Sequence, residues 1–315
     1  MGEQNISIMV HIRLVLTMIF WGGTFVAGRV LVQDLHPYSA ATGRFLFASI
    51  LLLVVVRVRE GRLPHLSWRQ LAAVILLGLS GIFSYNIFFF NGLQSVEAGR
   101  AAMIIAVNPV VTGVLSALIF REGFSLKKIT GFLIALLGAV TVISRGRPDI
   151  LLSDPPGIGE LCIVGCVLSW SVYTIVGKAL LSKIKPLVAV CYSCVAGTLM
   201  LISLSLFTGH LTELVSMRMS SMYAIGYLAV LGTALGFIWF YDGVKRLGAG
   251  NAVLYVNLVP VSGVILGILI LGEKPDISLL IGGSLVIGGL LLVNTSQLSS
   301  RLKSGKHKIT FPSTR

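Results

Sequence analysis

The chain carries little charge. Only 12% of its 315 residues are Asp, Glu, Lys or Arg, about half the share of a typical soluble domain. By contrast, 55% are hydrophobic and the mean hydropathy is +0.92, which excludes an ordinary water-soluble globule. Acidic residues are the scarcest charge, twelve against 25 Lys and Arg, and none of them falls in the middle of an apolar run. Glu97, Glu160 and Asp242 come nearest, and no His lies at mid-depth. Proton relays in transporters are built from titratable groups within the membrane, so this absence favours movement of a solute down its own gradient. Catalytic patterns are missing as well. There is no His-Glu-x-x-His, no pair of intramembrane aspartates and no Ser with a His at depth, so no enzyme and no cofactor is implied. No ring-forming charged or carbonyl-rich filter motif suggests a channel. The four cysteines, Cys162, Cys166, Cys191 and Cys194, all sit in apolar runs, where they read as small packing residues. Cys191-x-x-Cys194 could hold a metal or act in redox chemistry, but no His or acidic residue joins it.

What the chain has instead is long apolar runs. A helix needs about 20 apolar residues to cross roughly 30 Å of hydrocarbon, and ten such runs are present. They cover approximately 9 to 32, 38 to 56, 70 to 91, 98 to 120, 127 to 144, 157 to 180, 187 to 207, 221 to 241, 250 to 272 and 278 to 295. The runs are continuous rather than alternating, and a helix satisfies its own backbone in lipid, so the expected fold is all-α and integral to a bilayer, not a barrel. The first run follows a short polar start, as a secretory signal does. It is too long for one and contains Trp21 and Arg29, so it is read as a true span.

The net charge of +13 has a direction. With the N-terminus in the cytoplasm, eighteen Lys and Arg fall on the inner side, among them Arg57, Arg59, Arg62, Arg69, Arg121, Lys127, Lys183 and Lys185; six fall outside, and Arg44 lies within a span. The positive-inside rule then places both termini in the cytoplasm of a cell (inner) membrane, which requires an even number of spans. The basic tail from 301 to 315 reads as a solvated or headgroup-facing end, not a nucleic-acid patch.

The chain is also written twice. Gly92, Ala98, Gly99, Pro109, Glu122, Gly131 and Gly138 reappear as Gly243, Ala249, Gly250, Pro260, Glu273, Gly282 and Gly289, a constant shift of 151 (243 minus 92). A weaker echo at a shift of 149 links Trp21, Gly28 and Pro37 to Trp170, Gly177 and Pro186. The expected units are 1 to 147, a first five-helix repeat; 148 to 300, a second; and 301 to 315, the tail. The link between them is turn-rich, with Pro148, Asp149, Asp154 and Pro155. An odd number of spans per repeat makes the second copy cross in the opposite sense. Such inverted repeats are common in transporters, whose substrate site lies between the halves.

Candidate site residues follow from that expectation. Pro109 and Pro260 fall near the middle of the fourth and ninth runs, where a proline frees a carbonyl and bends a helix; paired breaks point to hinges or a central site. Asn86, Asn108 and Asn257 are polar groups that lipid tolerates poorly, so each faces another helix or a wet cavity. With Trp21, Phe25, Phe90, Trp170, Tyr173, Trp239 and Tyr255 they suggest apolar walls with a few orienting groups, suited to small zwitterions or aromatic metabolites. Trp and Tyr also form interfacial belts, a second reading that stands beside the first. Arg44 either snorkels outward along its own stem or draws a carboxylate into the outer vestibule. Thr112 with Ser116, matched by Gly263 with Gly267, reads as close helix packing.

Phe20-Trp21-Gly22-Gly23-Thr24-Phe25, Arg44-Phe45, Asn108-Pro109, Glu122 before Gly131 and Gly138, and Pro260, Glu273, Gly282 and Gly289 in the second copy together resemble EamA-type members of the drug/metabolite transporter superfamily. The resemblance covers about residues 10 to 295. It implies ten helices as two inverted five-helix repeats, a central cavity, and export of amino acids or related small metabolites. Uptake or exchange of sugars, nucleotide sugars or drugs is the alternative. The partners expected are a small-molecule substrate and the lipid bilayer; oligomeric state is not legible.

Overall fold

The computed structural model describes residues 2–120, 126–147, 156–180 and 184–306, with the side chains of 2–7, 179–180, 249–250 and 294–306 left aside. Glu122, Arg121, Lys183, the link from Pro148 to Pro155 and the side chains of the basic tail lie outside these described parts. Ten helical spans run through the described residues. Nine contain stretches long and apolar enough to cross a membrane, and the tenth contributes a shorter apolar stretch, Ile277–Val293, within a helix that continues to Lys306.

Local chemistry marks the span ends. The second span (Pro37–Glu60) and the seventh (Pro186–Phe207) open on proline, whose fixed φ suits a first helical turn and whose missing N–H is not needed there. His36 adds an acceptor to the second, taking the Tyr38 N–H at 3.3 Å. The third span opens at Trp68 with a capping box between Ser67 and Gln70. The second and ninth spans end on glycines in the left-handed region, Gly61 at φ 72° and Gly272 at φ 67°.

Four spans are irregular, in matching pairs. The third, Trp68–Ser95, and the eighth, Met219–Leu247, each contain a π-helical stretch, Gly78–Ser84 and Leu228–Leu235. The fourth divides into Ala98–Ile105 and Asn108–Phe120, the ninth into Ala249–Tyr255 and Leu258–Leu271. Each break lies within a turn before a proline, Pro109 or Pro260. The ring removes an N–H and crowds the carbonyl four residues back, at Ile105 or Val256.

The two repeated sets interlock. The first span (Gly2–Leu31) packs on the eighth and ninth, the second on the seventh and eighth, the third on the sixth (Ile158–Leu180) and seventh, the fourth on the sixth and ninth. The fifth (Leu126–Ile143) lies against the tenth (Ile277–Lys306). There the approach is so close that a Cβ on Gly131 would sit 2.8 Å from the Gly289 carbonyl, and one on Gly138 would sit 2.5 Å from that of Gly282. The two pairs run in opposite order along the two helices, so the helices are antiparallel. Between the second and seventh spans Thr42 meets Ser205, and Ser49 meets Thr198, each at 2.8 Å, again in antiparallel order. The small residues at 112, 116, 263 and 267 sit at contacts as well: Thr112 bonds Ser171 at 2.9 Å, Ser116 accepts from Lys178 at 3.4 Å, and Gly263 and Gly267 lie against Ala102 and Glu273.

Ten crossings put both chain ends on one face, called here the terminal face; the opposite one is the far face.

Candidate functional site

Arg44 lies seven residues into the second span from Pro37, roughly 10 Å from its far-face end at 1.5 Å per residue. Its guanidinium does not reach back along its own stem to that face. It turns to the third span and donates to the Asn86 side-chain carbonyl at 3.1 Å, and it sits 4.9 Å from the centroid of the Phe45 ring. Asn86 is buried, and its amide donates in turn to the Ile82 carbonyl at 2.7 Å. The Arg44 Nε is enclosed without a partner, while part of the side chain's surface stays uncovered inside the bundle. Among the described residues no carboxylate pairs with it.

Arg100 makes the contrast. It opens the fourth span, is 2% exposed, and is neutralised by Asp276 at 2.6 Å, with a further bond to the Val142 carbonyl. Arg100 is one of the six charges that the sequence places on the outer side, yet its side chain is buried and paired. Two arginines are therefore enclosed, one balanced and one not.

Around Arg44 the structure gathers aromatic hydroxyls and rings. Tyr85 and Cys194 are close enough to interact with it electrostatically. Tyr85 meets Trp170 edge-on at 5.6 Å, Trp170 stacks on Tyr173 at 5.0 Å, and Tyr173 reaches Ser193 and Tyr241. Tyr173 also presses against the bare backbone of Gly81 in the π-helical stretch of the third span. The result is a polar and aromatic track that starts in the far-face third at Arg44 and descends through Trp170 and Tyr173 towards Tyr241. Tyr85 and Tyr241 were not picked out by sequence; the signal available was Tyr85 directly before Asn86.

The other candidates are placed as follows. Trp21 donates from its indole to the Gly232 carbonyl at 3.0 Å, in the π-helical stretch of the eighth span, and packs on Phe237 and Phe240. Phe25 and Phe90 are buried in the core, both against Phe89. Trp239 lies beside Phe20 and under Arg13, and Tyr255 bonds the His11 ring, both near the terminal face and apart from Arg44. Asn108 and Asn257 flank the breaks of the fourth and ninth spans, and each has a buried amide atom, Oδ1 and Nδ2 respectively, with no partner. Pro109 and Pro260 lie within a turn beyond those breaks.

A cavity of about 410 Å³ opens elsewhere, at the far face, between Arg29, Gln33, Glu97 and the stretch Leu271 to Lys274. Here Glu273 accepts the backbone N–H groups of Ala98 and Gly99 at 2.6 and 2.9 Å, capping the fourth span from the loop between the ninth and tenth. Nearby, His36 and His210 stack at 3.7 Å, and Glu213 accepts from the His36 N–H, from Ser39 and from His210, each at 2.8 Å. Burial lowers the His36 pKa from its ordinary value, with the His210 charge adding to it and Glu213 opposing. Burial pushes the Glu213 carboxyl up, but its hydrogen bonds outweigh this and hold it below the usual range. Asp34 is held low by hydrogen bonds from Ser221 and the Arg218 N–H.

The EamA-like transporter family matches this architecture twice, over residues 8–144 and again over 157–295. The chain belongs to the EamA-like transporter family. It is a multi-pass membrane transporter, and a small-molecule substrate and a lipid environment follow from that. The uncharacterized transporter YyaM of Bacillus subtilis is similar at 30% identity, over 90% of this chain and 92% of its own length. A protein of Streptantibioticus cattleyicolor named as a probable terminal-alkyne amino-acid exporter is 28% identical, over 91% of this chain and 94% of its own. A solved crystal structure aligns with a TM-score of 0.63 at 18% identity, covering 91% of this chain and 98% of that one, so the EamA-like fold is shared with it.

Proposed function

We propose that this EamA-like protein exports amino acids or related small metabolites by alternating access to a site between its two repeats. The observation that carries the reading is the unbalanced Arg44, held at depth by Asn86 beside Tyr85 and Cys194, with an aromatic run leading from Tyr85 through Trp170 to Tyr173. A buried guanidinium is costly in a low-dielectric surrounding unless an anion joins it, and a carboxylate fits its fork. The relative named as an amino-acid exporter agrees in substrate class. The repeats, taken as 1 to 147 and 148 to 300, are inverted in this reading. The antiparallel pairing of Gly131 with Gly289 and Gly138 with Gly282 supports that, as does the bond between Ser49 and Thr198, which stand 149 positions apart. Both termini are cytoplasmic, in the inner membrane. Pro109 and Pro260 act as the hinges, and Asn108 and Asn257 offer their unpartnered amides to the moving cavity. Transport is facilitative, since no carboxylate lies at mid-depth to carry a proton.

The test is counterflow of labelled amino acids and their N-acyl relatives into liposomes holding the purified full chain, first without any ion gradient and then with an imposed proton gradient. Saturable counterflow without a gradient is expected. Uptake of these compounds only under the proton gradient overturns the uncoupled mechanism, and no uptake of any of them in either condition overturns the substrate class.

A further inference from the structure

The same site, accepted as the transport site, carries more information in its charge balance. Arg44 is its one formal charge. The intramembrane depth that the second, third, sixth and seventh spans share around it contains no Asp or Glu. The repeat does not supply a second charge either: at the shift of 149 that relates Ser49 to Thr198, the counterpart of Arg44 is Ser193, whose hydroxyl donates to its own helix at the Val190 carbonyl, 2.9 Å away. The site is thus singly positive and asymmetric within a duplicated frame. Beside Arg44 stand Asn86, Tyr85 and Cys194, and an aromatic run continues from Tyr85 through Trp170 to Tyr173.

We infer that the favoured substrates are monoanionic carboxylates with an apolar or aromatic body and a missing or blocked amino group, in preference to free zwitterionic amino acids. A monoanion brings the occupied site to neutrality, with its carboxylate on the Arg44 guanidinium, a group that no carboxylate pairs with among the described residues. A zwitterion leaves the occupied site at one net positive charge, and its ammonium meets no carboxylate there. In a surrounding of low dielectric constant that uncompensated charge is the larger penalty. Rings flanking the ammonium recover part of the cost through cation–π attraction, but only part. Arg44 is therefore a specificity-determining residue as well as an anchor.

The experiment uses the full chain in liposomes at neutral pH, with empty liposomes as the background for passive entry. Counterflow of N-acetylphenylalanine is compared with that of phenylalanine, which shares its ring and carboxylate and differs in charge at nitrogen. The blocked compound is expected to exchange at least about tenfold faster at limiting concentration, a difference of about 1.4 kcal/mol. In net uptake, an inside-positive potential should accelerate the monoanion and leave the zwitterion unaffected. Arg44→Gln should abolish the preference, and Arg44→Lys should keep its sign with weaker binding, since an ammonium preserves the charge but loses the fork. Equal or faster exchange of phenylalanine by the unmodified protein overturns the inference while leaving amino-acid export intact. Saturable exchange of neither compound overturns both. A preference that survives in a folded Arg44→Gln protein removes Arg44 from the role. The comparison of the two substrates on the unmodified protein decides the matter even if that variant does not fold.

Discussion

Among the described residues, the two faces of the molecule are fastened differently. On the far face, four carboxylates each hold groups from the opposite repeat. Asp34 takes the Arg218 N–H at 3.0 Å and the Ser221 hydroxyl at 2.6 Å; Glu213 takes His36, Ser39 and its own neighbour His210; Glu273 takes Ala98 and Gly99; and Asp276 takes Arg100. Among the described residues of the terminal face, which leave out 121–125 and 181–183, the ion pairs between repeats are thinner. Arg13 reaches Asp242 at 3.6 Å while 40% exposed, and Lys185 reaches Glu60 at 2.6 Å while 70% exposed. Charge-assisted bonds to backbone N–H groups are among the stronger polar contacts, whereas an exposed pair contributes little.

The sharpest way to break this contrast is at Glu273. Glu273→Gln leaves at most one acceptor for two helix-start N–H groups, and a lost bond to a charged group costs roughly 1.5–3 kcal/mol. The expected result is a lower denaturation temperature in detergent, together with faster maleimide labelling of a cysteine placed at Gln33 beside the same cavity. No change in either would mean that the far face is held elsewhere.

Acidification should act next, through groups on the far face. Asp34, Glu213 and Asp276 have folded pKa values below their ordinary ones, so the stability they contribute is present at neutral pH and is lost as pH falls through those depressed values. His36 is also lowered by burial; its unfolded form takes up a proton first, so stability is again lost as pH falls below about 6.5. All four signs agree. The groups facing His36 are His210, Glu213 and the neutral Tyr38. Hydrogen-exchange protection of the 208–218 link, taken relative to the intrinsic amide rate at each pH, should fall between pH 7 and 4, and Glu213→Gln should flatten that response.

The smallest effect is expected on the terminal face. Lys185→Ala removes an exposed pair and should shift stability by no more than about 1 kcal/mol. A larger shift would erase the difference between the faces.

Much of this was legible in the residues. The ten apolar runs match the helical spans closely, because a saturated hydrophobic stretch bounded by charge has one stable solution in lipid. The breaks in the fourth and ninth spans were legible through proline. The π-helical stretches were not. GLSGIFS and LAVLGTAL carry only Ser80, Ser84 and Thr233 as polar side chains, too few to set a polar phase in which a wider turn could be seen. Arg44 stood out as a charge in an apolar run and Asn86 as a lone amide, but their pairing requires the packing of the second span on the third. The aromatics were the weakest signal: the same ring chemistry lines a cavity at Trp170, fills the core at Phe90 and sits near the terminal face at Trp239.

Those wide turns also have a common position. A π-helical stretch amounts to one residue inserted into an α-helix, and here the insertion begins at Gly78 in one copy and at Leu228 in the other, at nearly the repeat distance. The same widened turn therefore sits at the same place in both copies, although GLSGIFS and LAVLGTAL share almost no residues, so the distortion is tied to the position in the bundle and not to one local sequence.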